Sequence, residues 1–312
     1  MRPKRSAPSN LPTEARPWDC LVAGDANADL LLEGAASLQP GPEILATRMN
    51  LVLGGSSTIT AFNLSCLGAK VAFAGVLGRD PFGDLVLQRL LAGGVDVSPI
   101  RRVRRPETGL TVWFTKSGVR AGITYQGTIA SLRAADLKDS LLSRARHLHV
   151  GAYFLQAGLH SGAASLFRRA HRLGLTTSLD CNDDPAQRWD SGIFRVLRHT
   201  DCFFPNHDEA LRLANTSRVE AAARDLGRLA RIVAVKLGAR GALVCESGRL
   251  FRIPAVKARV VDTTGAGDSF NAGFLSRFLR GATVGECAQA GVAAGARCVS
   301  RPGGTAAFER RR

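Results

Sequence analysis

The segment Val261-Asp262-Thr263-Thr264-Gly265-Ala266-Gly267-Asp268-Ser269-Phe270 carries the residue types of an anion-handling site. Gly265 and Gly267 let the backbone bend and bring its N–H groups close to an anion. A β-rich stretch precedes the turn and a helical stretch, Ser269–Leu279, follows it. The positive end of that helix points at the same place. Such a turn can hold phosphate oxygens while charge shifts during group transfer. A carboxylate at its mouth would repel phosphate, so Asp268 needs another task. Facing an acceptor hydroxyl, it would take the proton as the bond to phosphorus forms. The competing reading makes Asp268 an N-cap, a position Asp favours, and residue type alone does not separate the two.

Two other phosphate motifs are excluded. The chain has no G-x-x-x-x-G-K-[ST]. Gly265-Ala266-Gly267 begins like G-x-G-x-x-G, but Phe270 stands in the last glycine position. His147-Leu148-His149 places two imidazoles on one face of a strand. No Cys or carboxylate lies at metal-ligand spacing, which makes them structural histidines. The seven Cys at 20, 66, 181, 202, 245, 287 and 298 include no CxxC pair, as expected of small buried hydrophobes in a reduced cytoplasm.

The elements that must position these residues alternate. Asp19–Ala26 and Val71–Val76 read as buried strands, with helical stretches Thr58–Leu67 and Asp84–Ala92 between and after them. From His147 the rhythm is strand, helix, strand, through Thr176–Asp180, Cys202–Pro205 and Ile232–Lys236, with helices at Ser161–Leu173, Ile193–His199, Asp208–Ala214 and Glu220–Ala230. Ala242–Cys245 and Leu250–Ile253 form a hairpin, and Val284–Val299 a last helix. Alternation of this kind predicts an α/β fold, a mainly parallel sheet with helices on both faces. Segments 28–52 and 107–130 break the rhythm. The second contains a hairpin around Lys116-Ser117-Gly118, and together they predict a small β lid.

The chain has 312 residues, 45% of them hydrophobic, enough for one sizeable core. Residues 1–17 read as a disordered basic leader, 18–308 as one domain and 309–312 as a basic tail. No apolar run is long enough to span a bilayer. The net charge of +16 comes mostly from scattered Arg, and only 6% of residues are aromatic. That argues against a nucleic-acid stacking platform; the positive balance suits anionic nucleotides instead.

Asp262–Asp268 resembles the second signature of the PfkB family, the ribokinase-like sugar kinases. Other blocks resemble the family's in the same order: Gly24-Asp25-Ala26-Asn27-Ala28-Asp29, Gly54-Gly55, Gly75-x-x-Gly78-x-Asp80-x-x-Gly83, Thr108-Gly109, Asn206-His207-Asp208-Glu209 and Lys236-Leu237-Gly238-Ala239-Arg240-Gly241. The resemblance runs from about Trp18 to Phe308. It implies a three-layer α/β/α ribokinase-like domain with a β lid, transferring phosphate from ATP to a sugar hydroxyl. Asp268 would be the general base and the backbone of Gly265, Ala266 and Gly267 the anion hole. Asn27, Asp29, Gly54, Gly55 and Asn182 would meet the sugar. Asn206, Lys236, Gly238 and Gly241 would meet the nucleotide, and Glu209 would manage Mg²⁺ through phosphate or water. Asp262 and Thr264, with Cys298 and Gly303 nearby, resemble a monovalent-cation site, which leaves K⁺ activation open. Cytoplasmic location and a homodimer through the lid are further expectations of the family.

The chain departs from the family in two places. Ile59 stands where an Asn usually touches the substrate, so Ser56, Ser57 or Asn63 would have to substitute. Asp180-Cys181-Asn182 resembles the D-x-N stretch of fructokinase-like and ketodeoxygluconate kinase-like members. Asp184 then occupies the place of an Arg that grips a carboxylate in the acid-sugar kinases, with Arg188 near but out of register. The expectation is a neutral pentose or hexose, phosphorylated on a primary alcohol. A nucleoside kinase on the same scaffold is the alternative, and a sensing or regulatory protein that has lost activity is the non-enzymatic rival.

Overall fold

In strand β1 (Trp18–Ala23) the side chains divide by parity: Leu21 and Ala23 enter one apolar layer, Cys20 and Val22 the other. The same division holds in β12 (Ile232–Lys236), with Val233 and Val235 on one side and Ile232 and Ala234 on the other. Strands buried on both faces need helices on both, which gives three layers. The protein, seen here as a computed structural model, is described for residues 16–34, 43–116 and 119–309. Most of the expected leader, the turn at 117 and 118, and the tail beyond 309 lie outside these residues.

The central sheet has eight strands. Across it run β14 (Arg249–Ile253), β13 (Ala242–Glu246), β12, β11 (Cys202–Phe203), β10 (Thr176–Leu179), β9 (Ala145–Val150), β1 and β4 (Val71–Ala74). The six from β12 to β4 are parallel and the β13–β14 hairpin is antiparallel. Helices Ala163–Arg172 and Val219–Gly227 pack into one layer; Ser56–Cys66, Ala266–Phe278 and Val284–Cys298 pack into the other. Loops at the C-terminal ends of parallel strands are where this architecture places ligands. Asp25, Asp180, Asn206 and Lys236 all stand at such ends.

A second sheet of four strands has the order β3 (Arg48–Gly54), β2 (Asn27–Glu33), β7 (Gly109–Lys116) and β8 (Val119–Tyr125). Asn27 pairs with Gly54 on one side and Gly109 on the other, so the blocks Asn27–Asp29, Gly54-Gly55 and Thr108-Gly109 meet at one corner. Thr108 is held there by Asp80. The Asp80 carboxylate caps the helix Pro81–Ala92 through Gly83 N and accepts from Thr108 N at 2.8 Å. A side chain at Gly83 would strike the Gly78 carbonyl. The Gly78-x-Asp80-x-x-Gly83 block therefore fastens the second sheet to the body.

Several elements differ from expectation. Val71–Val76 is not one strand: β4 ends at Ala74, and β5 (Val76–Gly78) turns away to pair with β6 (Arg101–Val103). The chain bends at Gly75, where a Cβ would crowd the Phe73 ring. The helix after the di-glycine begins at Ser56 rather than Thr58. The helix after the glycine turn begins at Ala266, two residues before Asp268.

Candidate active site

Gly265 adopts φ 72 and caps the helix Ala266–Phe278 without a side-chain hydrogen bond. Asp268 is therefore the third residue of the first turn and not the cap, which removes the capping explanation for it. Phe270 and Phe274 pack on Phe204 at ring-centroid distances of 6.3 and 5.0 Å, anchoring the helix to the sheet. Such pairs add about 0.5–1.5 kcal/mol beyond their buried area. Gly265 lies against Gly304 and Ile59, and a side chain there would strike the Gly304 backbone. Ile59 is thus a buried support beneath the turn and does not present the missing substrate contact. Asn63 is spent as well: its Nδ2 donates to Ser269 Oγ and to the Gly304 carbonyl, both at 2.9 Å. The Ser57 hydroxyl is fully buried. Of the three expected substitutes only Ser56 reaches the site, where its hydroxyl donates to Asp268 Oδ1 and lies 3.2 Å from Asn182 Oδ1.

Asn182 has the left-handed conformation (φ 53), which turns it back beside Ser56 after β10. At the corner of the second sheet Asp29 accepts from Asn27 Nδ2 at 2.8 Å and from Trp113 Nε1 at 3.1 Å. The Asp29 carboxylate lies over Gly54, where a Cβ would overlap it. Gly55, at φ 87, leads directly into the helix that begins with Ser56.

A second cluster flanks Asp268. Lys236 Nζ bonds Asp180 Oδ2 at 2.8 Å, their side chains 12% and 1% exposed, and Asn271 Nδ2 donates to the same oxygen. The ammonium lies against the first turn of the Asp268 helix, where a Cβ on Gly267 would approach Nζ at 3.4 Å. Burial opposes both charges, but each holds the other ionised: Asp180 is lowered and Lys236 raised. Burial, reinforced by the Asp180 charge, pushes Asp268 up to about 8.

Asn206 and Glu209 form a full capping box at the start of the helix His207–Ala214. Glu209 also receives Asn206 Nδ2 at 2.6 Å, and burial raises it to about 7. Gly238 has open space where a side chain would stand, whereas a Cβ on Gly241 would overlap the Ile253 carbonyl. Asp180, Cys181 and Glu209 are buried with their possible ligand atoms within 4.8 Å of one another. They do not fit a direct Mg²⁺ cage: Asp180 is bonded to Lys236 and Asn271, burial raises the Cys181 thiol, and Mg²⁺ takes oxygen ligands and keeps several waters. Glu209 accepts from Asn206 N on Oε2 and from Asn206 Nδ2 on Oε1. Asp262 spends its carboxylate on Thr264 N, Thr264 Oγ1 and Gly303 N. The carbonyls of Thr264 and Gly304 converge at 3.3 and 3.5 Å from Cys298 Sγ.

His147 and His149 are structural, joined through Ser178 Oγ at 2.7 Å each and held neutral by burial at about 3 and about 4. Asp184 accepts from the backbone N–H of Ala186, Arg188 and Trp189 at 2.9, 2.8 and 2.7 Å. Through these bonds it organises its own loop.

Two residues of the site, Asp25 and Asn271, had no role assigned from the sequence. Asp25 accepts from Ser56 N and Ser57 N at 2.8 Å each, capping from another strand a helix whose own cap is glycine. Asn271 falls three residues after Asp268, on the same helix face, a spacing that could have drawn attention to it.

Known proteins resemble this chain over most of its length. A family profile described as pfkB family carbohydrate kinase matches residues 19–311. The 2-dehydro-3-deoxygluconokinase of Bacillus subtilis (strain 168) is 31% identical over 269 residues, covering 80% of this chain and 82% of that one. The solved adenosine kinase from Sinorhizobium meliloti has a TM-score of 0.83 at 25% identity, covering 94% and 98% of the two chains. The Arabidopsis thaliana ribokinase complexed with ribose and ATP has a TM-score of 0.78 at 25% identity, covering 92% and 94%.

Proposed function

From the premise that the chain belongs to the pfkB family of carbohydrate kinases, we propose that it moves the γ-phosphoryl group of ATP onto a hydroxyl of a neutral pentose or hexose, a primary alcohol. The observation that carries the reading is the first turn of the helix Ala266–Phe278. It brings a helix start with no side-chain cap, the Lys236 ammonium and the raised carboxyl of Asp268 to one point.

In this reading Asp268 takes the acceptor proton, and the N–H groups of Gly265, Ala266 and Gly267 stabilise charge on the transferring group. Lys236 faces the phosphates, with Asn206, Gly238 and Gly241 beside the nucleotide. Glu209 would hold Mg²⁺ through phosphate or water, and the ion would supply neutralisation of phosphate charge. Asn27, Asp29, Gly54, Gly55 and Asn182 hold the sugar. Asp29, on that face, is a carboxylate, which favours a neutral acceptor. The second sheet acts as the lid and as a homodimer surface, excluding water on closure. The turn at Asp262 and Thr264, with its converging carbonyls, is the place for K⁺. Among the described residues no helix is long and apolar enough to cross a membrane, and cytoplasmic location follows from the family's metabolic role.

The likeness to an adenosine kinase favours a second reading, a nucleoside acceptor, with the Trp113 ring as one wall. ADP release measured with Mg²⁺ and K⁺ across pentoses, hexoses, acid sugars and nucleosides decides between them. A response to nucleosides alone would overturn the sugar reading.

Two further results are expected. The kcat/KM of the free enzyme should rise with pH through an acid limb near 8, since Asp268 accepts a proton only as the carboxylate. A profile flat from pH 6 to 9 would contradict this. Gly54→Ala should displace Asp29 and raise the acceptor KM by ~10-fold or more, the scale of a lost hydrogen bond to a charged group, with the ATP KM within about twofold. An unchanged acceptor KM would remove Asp29 from the sugar site.

A further inference from the structure

We propose that Ser56 is a positioning residue for Asp268: its hydroxyl holds one carboxylate oxygen of the base and leaves the other for the acceptor hydroxyl. The inference rests on the reading of Asp268 as general base.

Ser56 Oγ donates to Asp268 Oδ1, and among the described residues Oδ2 takes part in no hydrogen bond. A serine hydroxyl has one proton to give, so the nearby Asn182 Oδ1 at 3.2 Å competes for it or receives it in turn. Ser56 cannot drift. It is the first residue of its helix, 7% exposed, and its N–H and that of Ser57 are each held at 2.8 Å by the Asp25 carboxylate. Gly55 precedes it at φ 87, a conformation that aims the helix start at the turn after Gly265. The first turns of two helices thus meet at one point, and Thr60 Oγ1 lies 3.4 Å from the Asp268 carbonyl. A donor fixed this firmly orients the carboxylate without a further entropy cost on substrate binding.

The charged and titratable groups around Asp268 come from four elements: Asp180 after β10, Lys236 in β12, Asp25 after β1 and Cys298 of the last helix. Two of these carboxylates disfavour its ionised form; the Ser56 hydroxyl and Lys236 favour it. With the acceptor bound, its O–H donates to Oδ2. The proton passes to Oδ2 as the acceptor oxygen bonds to phosphorus, and the bond from the γ-phosphorus to the bridging oxygen breaks, its electron pair leaving with ADP.

The test is a carboxyl ¹³C titration of Asp268 in the free protein, its resonance assigned by loss in Asp268→Asn, compared among the parent, Ser56→Ala and Ser56→Thr. Ser56→Ala should raise the midpoint by about half to one pH unit, and Ser56→Thr, which keeps the hydroxyl, should restore it. With the acceptor found by the panel, the acid limb of kcat/KM should move by the same amount. The ATP KM should stay within about twofold, as expected when the lost interaction serves the reacting group. An unmoved midpoint in Ser56→Ala overturns the proposal. Should Ser56→Ala fail to fold, Ser56→Cys, which keeps the volume and weakens the donor, serves the same test. An Asp268→Asn enzyme with parental turnover would instead defeat the general-base reading, so the two failures are distinguishable.

Discussion

Asp268→Asn is expected to lower kcat by ~10²- to 10⁴-fold, the range seen when a general base is removed, while the protein stays folded. The amide is isosteric, the helix cap is supplied by Gly265, and Phe270 and Phe274 anchor the helix independently of the carboxylate. Ser56 can still donate to the amide oxygen. What is lost is the ability to accept a proton from the acceptor, which the anion hole and Lys236 cannot replace. Steady-state kinetics by ADP release, with urea unfolding of both proteins, checks this. Turnover within about threefold of the parent would mean that the proton leaves by another route and that the Asp268 carboxylate is structural.

The second large effect concerns the buried pair beside it. Lys236→Met should cost about 3–5 kcal/mol of stability, because it leaves the Asp180 carboxylate buried with Asn271 as its remaining strong donor. It should also abolish measurable transfer, since the ammonium at Gly267 is gone. Adding Asp180→Asn to Lys236→Met should recover part of the stability and none of the activity, because the uncompensated charge is removed while the phosphate contact stays lost. Urea midpoints for the single and double variants decide it. A single variant as stable as the parent would show that Asp180 finds water or a proton cheaply and that the pair is not a structural keystone.

These two expectations differ in how far they could be read without coordinates. Asp268 stood out because its neighbours in the chain, Gly265 and Gly267, make an anion site that a carboxylate does not suit. That contradiction is local and visible in ten residues. The Lys236–Asp180 bond joins residues 56 positions apart. Nothing in either local segment shows that β10 and β12 lie two strands apart with β11 between them.

By itself the sequence determined the layered α/β fold, since buried strands and amphipathic helices are properties of local patterning. It also determined the glycine turn, singled out Asp268 as the candidate base and, through motif order, pointed to the family. Only the tertiary structure decided which polar residues reach the site. It retired Ile59 and Asn63 to the interior, set Asp184 to holding its own loop, and excluded Asp268 as the helix cap. It selected Ser56 from the three candidates and brought Asp25 and Asn271 into play. The physical reason is that a hydrogen bond depends on direction and on a few ångströms of separation. Both are fixed by how helices and strands pack, and neither is written in the order of residues along any one of them.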